Sequence, residues 1–214
     1  MRKVFLFLIL FLFCGGCDIV GWIINPGPYD RKVPAEFKIK DRGKEKILVF
    51  VDQEGGNDVG ISLRSEVRDA ICTMLVSRAG VNNKYLVVES ESDIISKGRG
   101  GYLNYDPLKI ASYSGAGLIL YTQILDYKLY QSGPKDYYIG SLDTASVIID
   151  TGLKKVVWPA DGKPRVVRME VGIESKGEKE TIEKLVTSTA HGIVRYLYNI
   201  RYQQFETYLE KVNY

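Results

Sequence analysis

The run Ile47-Leu-Val-Phe-Val51 constrains the fold more than any other part of the chain. A strand alternates its side chains between two faces, so a run that is apolar at every position needs cover on both. The run ends in Asp52, and beyond Gly55 and Gly56 the period changes to that of a helix. Ile61, Leu63, Val67, Ile71, Met74 and Leu75 fall near one helical face, with Asp58 placed to cap it and Gly80 to stop it. Tyr85 to Glu89 reads as a second buried strand. The chain therefore opens as a β-α-β unit with a right-handed crossover and parallel strands.

Downstream, Ser92 to Ser96 suits a short helical turn, and Gly98-Arg99-Gly100-Gly101 suits a loop. Asp106-Pro107 starts a short helix that ends by Gly115, because Asp accepts from free backbone amides and Pro leaves none unpaired at the first position. A third strand runs from Leu118 towards Tyr130, Ser132 to Asp136 turns the chain, and Tyr137 to Asp150 returns. Lys155 to Trp158 and Val166 to Ile173, divided by Pro159-Ala160-Asp161-Gly162, are expected to form a further hairpin. From about Gly177, Ile182, Leu185, Val186, Thr189, Ile193, Leu197 and Ile200 recur at helical spacing, with Glu178, Glu180 and Glu183 at the positive end of the helix. The expected class is α/β (α+β): a mixed sheet in two or three layers, a β-α-β start, an antiparallel meander and a long C-terminal helix. Past Asn199 come Tyr202, Phe205, Tyr208, Leu209 and Tyr214. This aromatic tail either packs back on the domain or presents Tyr202, Phe205 and Tyr208 to a partner.

The amino terminus speaks to location. Arg2 and Lys3 precede an uncharged run from Val4 to Phe13, followed by Cys14-Gly15-Gly16-Cys17, the order of a secretory signal. The run is shorter than the roughly 20 apolar residues of a spanning helix. Gly15-Gly16-Cys17 resembles the lipobox of bacterial lipoproteins, with Cys14 in the slot where Leu is usual. That resemblance implies diacylglycerol on the Cys17 thiol and cleavage before it, and Asp18 resembles an inner-membrane retention signal of enterobacteria, a rule that other phyla need not share. The expected organisation is a signal peptide over 1–16, a lipidated tether over 17–45 and one domain over 46–214. The tether carries Pro26, Pro28 and Pro34 and a set of basic residues among acids; it is read as a solvated linker, with contact to anionic headgroups as the alternative, and Val33 to Phe37 suits an extended segment packed against the domain. Removing Cys14 and lipidating Cys17 leaves Cys72 alone, so stability rests on the core rather than on disulfides.

Composition removes several function classes. A formal charge of +3, two units of it in Arg2 and Lys3, provides no clustered basic surface for nucleic acid. One histidine, His191, and one unmodified mature cysteine, Cys72, leave little material for a zinc site or a histidine-based triad, so no cofactor or metal is expected. The loop from Gly55 to Gly60 has neither phosphate-loop nor dinucleotide spacing. Asp52, Glu54, Asp58, Asp126, Asp143 and Asp150 are the candidate acid-base carboxylates, although Asp is common at turns and strand ends in any case.

Lys46 to Asp52, Ser114 to Tyr127 and Ile148 to Trp158 together resemble a domain shared by curli-secretion-channel lipoproteins, penicillin-binding-protein activator lipoproteins and the amino-terminal part of the Tol-Pal propeller protein. The likeness spans about residues 46 to 200 in element order, with Gly117 where that domain usually carries Asp. It implies a non-enzymatic role in protein binding or envelope assembly. The expectation is a lipid-anchored envelope protein facing the periplasm, with an envelope protein partner and the capacity to form homo-oligomers. The alternatives are an envelope enzyme built on the carboxylates and a subunit of an oligomeric secretion channel.

Overall fold

The computed structural model describes residues 31–42, 44–53, 61–87, 106–133, 137–172 and 177–202. The signal and Cys17, Glu54, Asp58 and the Gly55–Gly60 loop, the 92–101 stretch, and Phe205 and Tyr208 lie outside them. β1 (Lys32–Val33) and a 3-10 turn (Ile39–Arg42) precede the central strand β2 (Ile47–Gln53), which leads to α1 (Ile61–Ser77) and β3 (Leu86–Val87). Then come α2 (Pro107–Ser114), the long strands β4 (Leu118–Gln131) and β5 (Tyr138–Asp150), and the shorter β6 (Lys155–Trp158) and β7 (Arg165–Val171). α3 (Glu178–Val194), a 3-10 turn (Arg195–Leu197) and β8 (Ile200–Arg201) close the described chain.

β2 lies between β3 and β4 and runs parallel to both, and β4 pairs antiparallel with β5. Both faces of β2 are covered, as its apolar run demands. Ile47, Val49 and Val51 pack with Leu63, Val67, Ile71 and Leu75 of α1 and with α3, whereas Leu48 and Phe50 pack with Ile110 and Ile119 on the side of α2. The α+β class with a mixed sheet and a C-terminal helix is thus the observed one. The short helix begins as its sequence requires, with the Leu108 N–H donating to the Asp106 carboxylate at 3.0 Å.

Three segments differ from expectation. Lys155 to Trp158 and Arg165 to Val171 do not form a hairpin. β6 pairs with Ile148–Asp150 and β7 with Gly140–Ser146, both antiparallel to β5, so they are two lengths of one edge strand interrupted at 159–164. Pro159 and Pro164 have no N–H for a ladder, and the chain leaves the edge between them. The C-terminal helix stops before Ile200, which instead pairs across from Val33 in a small ribbon, β1 with β8. Ile200 is buried because it sits in that ribbon, not on a helical stripe.

The third difference concerns residues 31–42 of the expected tether, of which only Val33 to Phe37 was expected to pack on the domain. They wrap onto the domain: the Glu36 and Phe37 N–H groups donate to the Tyr196 carbonyl, the Ala35 N–H donates to Asn199 Oδ1 at 3.0 Å, and Ile39 enters the core. Arg42 forms an ion pair with Asp150 at the far end of β5. The packing expected of Val33 to Phe37 thus continues to Ile39 and Arg42, a strap whose anchors are single residues.

α3 lies unusually close to the sheet. A Cβ on Gly192 would come within 2.5 Å of Met169 Cε and 2.6 Å of Val167 Cγ1, and one on Gly140 within 2.5 Å of Leu185 Cδ1. A break in the β4–β5 register between Ile124 and Asp126 reverses which residues face α3, so Tyr127 joins the main core beyond the break.

Candidate functional site

α1 and α3 pack side by side over the sheet and bury neighbouring stripes, Leu63, Val67, Ile71 and Leu75 from one and Thr181, Leu185, Thr189 and Ile193 from the other. On their outer side a groove of about 580 Å³ remains between them. One wall carries Glu66 and Asp69, a single turn apart on α1. The other carries Glu178, Lys179, Glu183 and Thr187 on the first turns of α3, and Ile182 and Val186 supply apolar surface between them. The helical period produces this arrangement: positions next to a buried stripe, three or four residues apart, line one side of the helix.

The groove is negative. Its lining holds four carboxylates against the single ammonium of Lys179, and Asp69 is held by Arg68 at 2.8 Å. Tyr127 reports the same field: burial, followed by the carboxylates of Glu178 and Glu66, raises its hydroxyl pKa above the ordinary phenol value. The arrangement suits reception of cationic groups alongside apolar contact.

The residues singled out in the sequence are dispersed. His191 is buried on α3 away from the groove lining, and burial, then the charges of Arg195 and Arg78, depresses its pKa from 6.5 to about 4. Cys72 is half-buried on α1; burial, then Asp69, pushes its thiol up to about 11 despite Arg68, so it is an un-ionised thiol at neutral pH. Asp52 accepts from the Tyr121 hydroxyl at 3.0 Å, and Asp150 accepts from the Leu153 N–H at 2.9 Å and pairs with Arg42. The first of these Asp150 interactions is the main reason its pKa is lowered.

Asp126 and Asp143 are brought together as cross-strand partners on β4 and β5, each engaged by its own cation, Lys128 and Arg168. Tyr202 is half-buried, and its N–H donates to the Arg31 carbonyl at 2.8 Å. Among the described residues no helix is long and apolar enough to cross a membrane, and no group of three His, Cys, Asp or Glu residues is placed to hold a metal ion.

Two features escaped the sequence reading. The groove needed knowledge of which helices are neighbours; the acidic spacing of Glu66 with Asp69 was its one visible trace. The other is a clasp in which Glu36 accepts from the buried Trp158 indole at 3.0 Å and pairs with Arg165 at 2.7 Å, beside Tyr196.

No family model matches the chain, and no curated protein matches it. Among solved structures it is similar to the lipoprotein GNA1162 from Neisseria meningitidis, with 16% identity, 70% of this chain and 98% of that chain covered, and a TM-score of 0.44. It is similar to the PelC dodecamer from Paraburkholderia phytofirmans, with 14% identity, 78% and 95% covered, and a TM-score of 0.45. It is also similar to the LpoB C-terminal domain from Salmonella enterica, with 15% identity, 65% and 85% covered, and a TM-score of 0.36.

Proposed function

We propose that this chain is a lipid-anchored envelope protein, facing the periplasm, that works as a non-enzymatic protein-binding or assembly module. The anchor in this reading is diacylglycerol on Cys17, supported by the Gly15-Gly16-Cys17 motif behind a short uncharged run. Two or more acyl chains hold a protein firmly where one is marginal.

The observation that carries the binding role is the groove between α1 and α3. Its apolar surface and its carboxylates on both helices suit a partner segment that is apolar on one side and cationic on the other, the geometry of an amphipathic segment laid in a cleft. The carboxylates would steer the approach and fix the register, and the apolar contact at Ile182 and Val186 would supply affinity.

The test is mild-detergent affinity purification of the full-length protein at native expression, with particle mass measured alongside. The expected result is a stoichiometric envelope protein that is lost in a Glu66→Lys, Glu183→Lys variant with an unchanged melting temperature. Recovery of the chain as a bare monomer would overturn the binding reading. In parallel, Cys17→Ser should abolish labelling by a fatty-acid analogue, and persistence of the label would sink the anchor.

A further inference from the structure

The β1–β8 ribbon joins the two points at which the described chain begins and ends. Val33 faces Ile200 and Lys32 faces Arg201 in antiparallel register, and the Tyr202 N–H closes the ribbon on the Arg31 carbonyl. Ile200 points into the core, so the next pair points out: Arg31, Lys32 and Arg201 are all exposed. Two cations directly opposite each other repel, which weakens a ribbon only two residue pairs long. Among the described residues, no carboxylate lies within ion-pair distance of Arg31, Lys32 or Arg201.

We propose that this ribbon is a membrane-facing surface that binds anionic lipid headgroups. The phosphates would supply the counter-charge that Lys32 and Arg201 do not find among the described residues. Chain length points to the same occupant. Residues 17 to 31 reach at most about 50 Å when extended, so a lipid on Cys17 keeps this ribbon, the first described element of the chain, within that distance of a bilayer. The distance argument rests on the anchored reading, whereas the charge argument stands without it.

The experiment uses the full-length protein reconstituted into vesicles of phosphatidylcholine alone and of equal parts phosphatidylcholine and phosphatidylglycerol. Hydrogen exchange is followed at residues 32–33 and 200–201. Exchange there should slow about fivefold or more on the anionic vesicles at low salt, in line with the contribution of one basic residue at such a surface. The difference should vanish at high salt and in a Lys32→Gln, Arg201→Gln variant. Equal exchange on the two vesicles, whether fast or already slow, overturns the proposal, and slow exchange on both would mean that a protein or a second copy covers the ribbon. Retention on the neutral vesicles after a salt wash, together with the fatty-acid label, reports the anchor separately, so loss of the anchor and loss of the ribbon contact are distinguishable.

Discussion

Trp158 is 1% exposed, and its one polar atom finds its partner across the strap, in the carboxylate of Glu36. Burying an indole is favourable only when its N–H is satisfied, and the same carboxylate also fixes Arg165. Glu36→Ala should therefore cost about 1–2 kcal/mol in a denaturant titration followed by circular dichroism. A Trp158→Phe background should reduce that cost, because the orphaned donor is then gone.

His191 makes a second prediction at this scale. Its folded pKa of about 4 lies below the ordinary 6.5, so the unfolded chain binds the proton more readily between those values. The His191 contribution to stability is complete above pH 6.5 and is lost as pH falls towards 4, with a slope of at most about 1.4 kcal/mol per pH unit. A His191→Gln variant should flatten that part of the stability profile, and an unchanged slope would show that another group is responsible.

Among the elements, α3 is the one whose placement leaves least room. Gly→Ala in an exposed helix normally gains about 1 kcal/mol from propensity alone. At Gly192 the new methyl would meet Val167, a stiff β-branched side chain on β7, as well as the flexible end of Met169. The expected result for Gly192→Ala is a net loss of about 1–3 kcal/mol by thermal or chemical unfolding. Gly140→Ala should cost less, since the nearest atom is the terminal methyl of Leu185, which has a rotamer to change. The reverse order would mean that β7 yields more readily than α3.

At the scale of the whole molecule, the ends of the described chain are stitched together. Truncation after Tyr202 keeps the β1–β8 ribbon; truncation after Asn199 removes buried Ile200 and every ribbon hydrogen bond. The chain cut after Asn199 should be less stable than the chain cut after Tyr202 by about 2 kcal/mol or more, the value of one fully buried aliphatic side chain. Equal melting of the two chains would show that the strap holds without its ribbon.

The α+β class, the parallel start, the β4–β5 pair and the buried face of α3 were determined by the sequence itself. Each follows from a local period of apolar residues and a local breaker, and neighbours in sequence are enough to express both. Only the tertiary structure decided which elements meet at long range. Two strand-like runs, Lys155–Trp158 and Arg165–Val171, align along β5 rather than with each other. A proline-rich basic stretch becomes a strap through Glu36, Ile39 and Arg42. Two ordinary acidic helix faces become one groove because Gly140 and Gly192 let α3 settle on the sheet beside α1. Periodicity specifies which side of an element is buried; what it is buried against depends on side-chain volumes and single contacts far apart in the chain, and these leave no periodic trace.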